Sequence, residues 1–149
     1  MRLDWVVPCR YCELAGDGTM SILGAGLDTF WVTEDQMPSD MAVFLATRVA
    51  GGEDEWSSPH TFAVRLVRPD LEEEAVLQAT LEMPNLPPLK QPGHEAGMLL
   101  PLVMQWRAQD YGLHSFDLFL DGTRERSAPI NVRPQTDLAG DTPPSPEET

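Results

Sequence analysis

The chain is short of cysteine, of basic residues and of long apolar runs, and each shortage removes a class of function. Two cysteines among 149 residues cannot build a disulfide scaffold, and a domain of this length buries a core without one. No apolar stretch approaches the roughly 20 residues that a membrane-spanning helix requires. Arg2 could open a signal peptide, but Asp4 and Pro8 interrupt the apolar region that would have to follow. The expectation is a cytosolic protein whose thiols stay reduced.

Lysine and arginine number 10 against 24 acidic residues, a net charge of −14. Four of those acids (Asp137, Asp141, Glu147 and Glu148) lie in a stretch from Pro134 to Thr149 that has no basic residue, so the body carries −10. Such a field repels phosphate backbones and anionic lipid surfaces. Nucleic acid and membrane are therefore not expected partners.

Catalytic motifs are missing as well. There is no GxSxG, HExxH or GxxxxGKS/T, and no GxGxxG. Gly24-Ala25-Gly26 is too short for a phosphate loop and reads better as a bulge or bend. Nothing here nominates a catalytic residue or a cofactor, and the expectation is a protein that is not an enzyme.

What the chain does have is alternation and turn chemistry. Fourteen prolines leave little room for long helices. Leu3 to Leu14 and Thr19 to Leu23 flank Ala15-Gly16-Asp17-Gly18, a strong hairpin signal. Leu27 to Val32 and Met41 to Val49 read as further strands, with the polar Gly51 to Glu55 breaking the second. Phe62, Val64 and Leu66 alternate, as do Ala75, Leu77, Ala79, Leu81 and Met83. A proline-rich loop from Pro84 to Gly97 precedes Met98 to Arg107; Phe116 to Leu120, Asp121-Gly122 and Ala128 to Val132 close the pattern.

About seven or eight short strands separated by turns predict an all-β, antiparallel sandwich over residues 1–133. The acidic, proline-rich residues 134–149 predict a disordered tail.

The segments CRYCEL, GTMSILGAGLDTFWV, HEAGMLLPLVMQW and YGLHSFDLFLDGTRERSAPINV together resemble a bacterial domain family with no assigned activity. The last of them is also similar to the two final strands of immunoglobulin-like and fibronectin-like domains. The resemblance implies a sandwich and supplies no catalytic or binding residue.

Cys9-Arg-Tyr-Cys12 has the spacing of a redox centre or half a zinc site. A redox CxxC needs a helix after it to stabilise the thiolate, and Glu-Leu-Ala-Gly-Asp-Gly cannot extend one. In a continuous strand the two thiols would point to opposite faces, about 10 Å apart. The expectation is two structural thiols unless Pro8 bends the chain. His60, His94 and His114 show no ligand spacing with them. The acidic loops (Glu34, Asp35 and Asp40, then Glu53, Asp54 and Glu55, then Asp70) contain no calcium motif. No metal ligand is nominated.

Among the four tryptophans, Trp5, Trp31, Trp56 and Trp106, Trp106 lies on an alternating apolar face and belongs to the core. Trp56, in GGEDEWSSPH, has polar neighbours and is read as an exposed, possible interface anchor. The preferred function is a non-enzymatic module that binds a protein partner or itself, with the strands Met41–Val49 and Met98–Trp106 as a possible sheet interface. The alternatives are a structural subunit of a larger assembly, of phage or other origin, and a metal- or small-ligand-binding sandwich.

Overall fold

The computed structural model describes residues 1–141. Two sheets pack face to face. The first has three strands in the order β1-β5-β8: β1 (Arg2–Cys9), β5 (Ser39–Gly51) and β8 (Ala96–Ala108). The second has five in the order β4-β10-β9-β6-β7: β4 (Thr29–Val32), β10 (Thr123–Pro134), β9 (Gly112–Leu120), β6 (His60–Val67) and β7 (Glu73–Leu81). Every pairing within the two sheets is antiparallel except that of β4 with β10. A separate hairpin joins β2 (Tyr11–Leu14) to β3 (Met20–Leu23).

The period of two in the sequence builds this core directly. Alternate residues Val43, Leu45, Met104 and Trp106 of the first sheet meet Val64, Leu66, Phe116, Leu118 and Ile130 of the second in one buried cluster. The predicted all-β sandwich is what forms. Among the described residues ten strands replace the seven or eight expected, partly because the run from Leu3 to Leu14 is broken at Arg10 into β1 and β2. In β7 the register slips opposite Val64 and Arg65, leaving Val76 without a partner, so Val76 and Leu77 both pack against the core.

Two segments differ from expectation. Gly51 to Glu55 is not simply a break, because Glu53–Trp56 forms one helical turn, α1. The Glu55 carboxylate accepts the Gly52 N–H at 2.7 Å, the local bond that closes a helix start. At the other end, Pro134 still belongs to β10 and Gln135–Asp141 forms a 3-10 segment. The remainder of the predicted tail, 142–149, lies outside the described residues.

Candidate functional site

The outer face of the three-stranded sheet carries the β2–β3 hairpin. Its turn has the chemistry that Asp17-Gly18 requires. Ala15 N–H donates to Thr19 O at 2.8 Å, Thr19 N–H to the Asp17 carboxylate at 3.0 Å, and Gly18 sits at φ +83°. Cross-strand partners share a face of a two-stranded ribbon. Cys12 with Ile22 and Leu14 with Met20 therefore face one way, and Tyr11 with Leu23 the other.

This placement corrects the expectation for the two cysteines. They do not occupy opposite faces of one strand. The chain bends at Arg10, whose N–H donates to Leu23 O at 3.0 Å, while Pro8 O accepts Gly26 N–H at 2.9 Å. Past that bend Cys12 turns back toward Cys9. Both thiols are free and buried, in a small cluster with Ala46 that Trp5, Val7, Met20 and Phe44 enclose. The Cys9 thiol donates to Phe44 O at 3.6 Å. Burial, reinforced by Cys9, pushes the Cys12 thiol up to about 11. It is therefore neutral at physiological pH and a poor nucleophile.

The hairpin has more apolar surface than the sheet can cover. Met20 and Cys12 pack beneath it, and the Tyr11 ring meets Phe44 edge-on with centroids 5.2 Å apart. Leu23 remains 67% exposed and Leu14 50%, and Tyr11 and Ile22 are exposed beside them. Four exposed large apolar side chains thus lie within two strands of four residues each. Val103, paired with Phe44 on the edge strand β8 of the three-stranded sheet, is exposed as well. Sequence reasoning missed this patch, although apolar residues on both faces of a two-stranded ribbon could have revealed it.

Trp56 is the second correction. Its side chain is completely buried, with the indole N–H donating to Ala96 O at 3.0 Å. Helical winding of Glu53–Trp56 turns the indole inward while Glu53, Asp54 and Glu55 stay toward solvent. Trp56 fastens α1 to the start of β8 and offers no surface to a partner.

The histidines are dispersed. His60 bridges Asp121 Oδ2 and Glu55 O, each at 2.6 Å, tying α1 to the β9–β10 turn. This contact, first by its hydrogen bond, holds the Asp121 carboxyl below its usual range. His94 is exposed in the proline-rich loop. His114 is 1% exposed; one ring nitrogen contacts Gly112 O at 3.1 Å and Nε2 has no partner. Burial lowers its pKa.

The acidic loops are mostly used internally. Glu53 accepts Leu89 N–H, Glu55 pairs with the N-terminal amine, Asp40 with Arg107, and Asp70 accepts Glu72 N–H. Among the described residues no three His, Cys, Asp or Glu side chains gather in a way that could hold a metal ion. No described helix is long and apolar enough to cross a membrane.

No curated protein and no solved structure matches this chain. A family model does, over residues 5–133, which takes in both sheets and the hairpin. The chain belongs to that family, DUF6941, a family of unknown function.

Proposed function

We propose that this protein is a non-catalytic binding module and that the β2–β3 hairpin is its contact surface. One observation carries the reading. Four of the exposed large apolar side chains, Tyr11, Leu14, Ile22 and Leu23, are concentrated on a ribbon that stands outside both sheets. Scattered exposed leucines need no explanation, whereas large apolar side chains exposed on both faces of one short ribbon are concentrated enough to mark a contact surface.

The sheet edges are less suited to the task. Strand β5 is paired on both sides and has no free edge. Strand β8 does have one, but Pro101 interrupts its run of donors. An immunoglobulin-like arrangement is supported by strand succession. β1-β5-β8 corresponds to strands A, B and E of such domains, and β10-β9-β6 to G, F and C. On that reading the hairpin is an insertion between the first and second strands of the framework. We place the protein in the cytosol, where Cys9 and Cys12 would remain thiols.

The test is the mass of the native particle, measured for the wild type and for Leu14→Asp combined with Leu23→Asp. Both leucines are at least half exposed, so the double variant should keep its fold. The wild type should sediment as a complex, with itself or with a partner that is then identified, and the variant as a monomer. A wild type that is monomeric in native extracts would sink the proposal.

A further inference from the structure

The cluster under the hairpin brings together three sulfur-bearing side chains. Cys9 ends β1, Cys12 follows the Arg10 bend, and Met20 opens β3. Met20 pairs with Leu14 and Cys12 with Ile22, so Met20 and Cys12 are diagonal neighbours on the hairpin's sheetward face. That separation is within reach of a long, unbranched side chain. All three pack into the same small cluster, distinct from the sandwich core.

Nothing else around them offers a hard ligand. The enclosing residues are Trp5, Val7, Phe44 and Ala46, and no third His, Cys, Asp or Glu joins the pair among the described residues. Zinc, which wants four nitrogen or sulfur donors in structural sites, is poorly served. A soft monovalent ion has different needs, since thiolate and thioether ligands select Cu(I). The bend is also pinned independently of any metal, by Arg10 N–H to Leu23 O and by Gly26 N–H to Pro8 O. The bend that returns Cys12 to the cluster holding Cys9 and Met20 is thus set before any ion arrives.

We propose that Cys9, Cys12 and Met20 form a binding site for a soft monovalent metal ion, Cu(I) or its analogue Ag(I), held between the hairpin and the outer face of the three-stranded sheet. Both thiols lose their protons on binding. One Cu(I) and two R–SH give a bis-thiolate complex of net charge −1 and two released protons, with no change of oxidation state. Met20 contributes a neutral thioether. Access is from the side of the hairpin, where Leu14 and Ile22 are exposed and Met20 is only partly buried.

The site is read from the sulfurs beneath the hairpin and the docking surface from the side chains exposed on it, with Leu14 and Ile22 bordering both. Metal binding and particle mass are separate measurements, so either reading can fail alone. The reduced, full-length protein is titrated with Cu(I) against a chromophoric chelator, and separately with Ag(I). One equivalent should bind, with two protons released per ion and X-ray absorption showing sulfur as the sole donor type. Cys9→Ala and Cys12→Ala should each weaken binding at least 100-fold. Met20→Leu conserves packing volume and should retain a two-sulfur site, with one fewer sulfur in the absorption fit and about tenfold weaker binding. Wild-type protein that fails to hold one equivalent against the chelator overturns the proposal. So does equal binding by the folded Met20→Leu and wild-type proteins, or zinc retained as tightly as Cu(I).

Discussion

The indole of Trp106 lies against the imidazole of His114, ring centroids 6.3 Å apart, and each ring carries a buried nitrogen with no hydrogen-bond partner. Phe116 meets the same indole edge-on at 5.1 Å. The His114 ring is therefore buried against Trp106, with Gly112 O as its one acceptor. An added proton would place a second N–H donor, and a charge, where nothing accepts it.

This arrangement sets a pH dependence. Burial holds the His114 pKa below its ordinary 6.5, and the nearby Arg68 adds to that; Gly112 O, Asp110 and Asp70 oppose it without prevailing. The unfolded chain therefore takes up the proton more readily than the folded one. Stability is fully present above 6.5 and declines as pH falls through that value toward the folded pKa. Asp121, whose carboxyl is lowered by His60, contributes a separate loss only below its ordinary 3.8. Urea midpoints from pH 7.5 to 5 should fall for the wild type and fall less for His114→Phe. Parallel slopes for the two proteins would show that His114 is not the titrating group.

Trp56 gives a contrast between packing and interface roles. Complete burial and the bond to Ala96 O predict that Trp56→Ala loses about 3–5 kcal/mol, the range for large aromatic truncations. Trp56→Phe retains most of the packing but leaves Ala96 O without its donor, at about 1–3 kcal/mol. Thermal denaturation distinguishes this from the surface-anchor reading, for which stability would hardly change.

How far the sequence reveals the molecule depends on which interactions build each part. Strands β5, β6, β8, β9 and β10 follow from local alternation, because one face of each is buried and period two records it. The bend at Arg10 is fixed by Leu23 O, and the link from Gly26 back to Pro8 reinforces it. Periodicity does not register contacts so far apart along the chain, so the faces of Cys9 and Cys12 were misplaced. Trp56 was hidden by its acidic neighbours. The only local sign of its helical turn was Glu55 standing three residues after Gly52. The parallel pairing of β4 with β10, through Thr29 to Val32 and Asn131 to Pro134, joins opposite ends of the chain and has no local signature.

The hairpin turn offers a paired test with an internal control. Gly18 adopts φ +83°, whereas Gly16 is not in the left-handed region, and a Cβ on either would meet nothing within 4 Å. Any cost at Gly18 is therefore backbone strain, not a clash. Gly18→Val should destabilise by about 1 kcal/mol or more, while Gly16→Ala should be nearly neutral. Equal chemical denaturation midpoints for the two variants would contradict the turn geometry.

Pro101 lies in the edge strand β8, where a free row of donors would invite another strand. Strand β8 is 13 residues long, lies at a sheet edge, and has the apolar run Met98 to Met104. Exposed apolar edges of that length recruit other strands, and proline is one device that blocks them. Pro101 sits opposite Ala46, and a proline is accommodated on an edge strand when its nitrogen faces away from the sheet. Pro101→Thr keeps a β-favouring residue, leaves the pairing with β5 intact and restores an outward N–H donor. Its thermal stability should match the wild type within about 1 kcal/mol, since no ladder bond is lost. Light scattering of concentrated samples should nonetheless show association beyond that of the wild type, while Pro101→Lys, which restores the donor but adds charge, should match the wild type. If Pro101→Thr associates no more than the wild type, the proline is not what guards the edge.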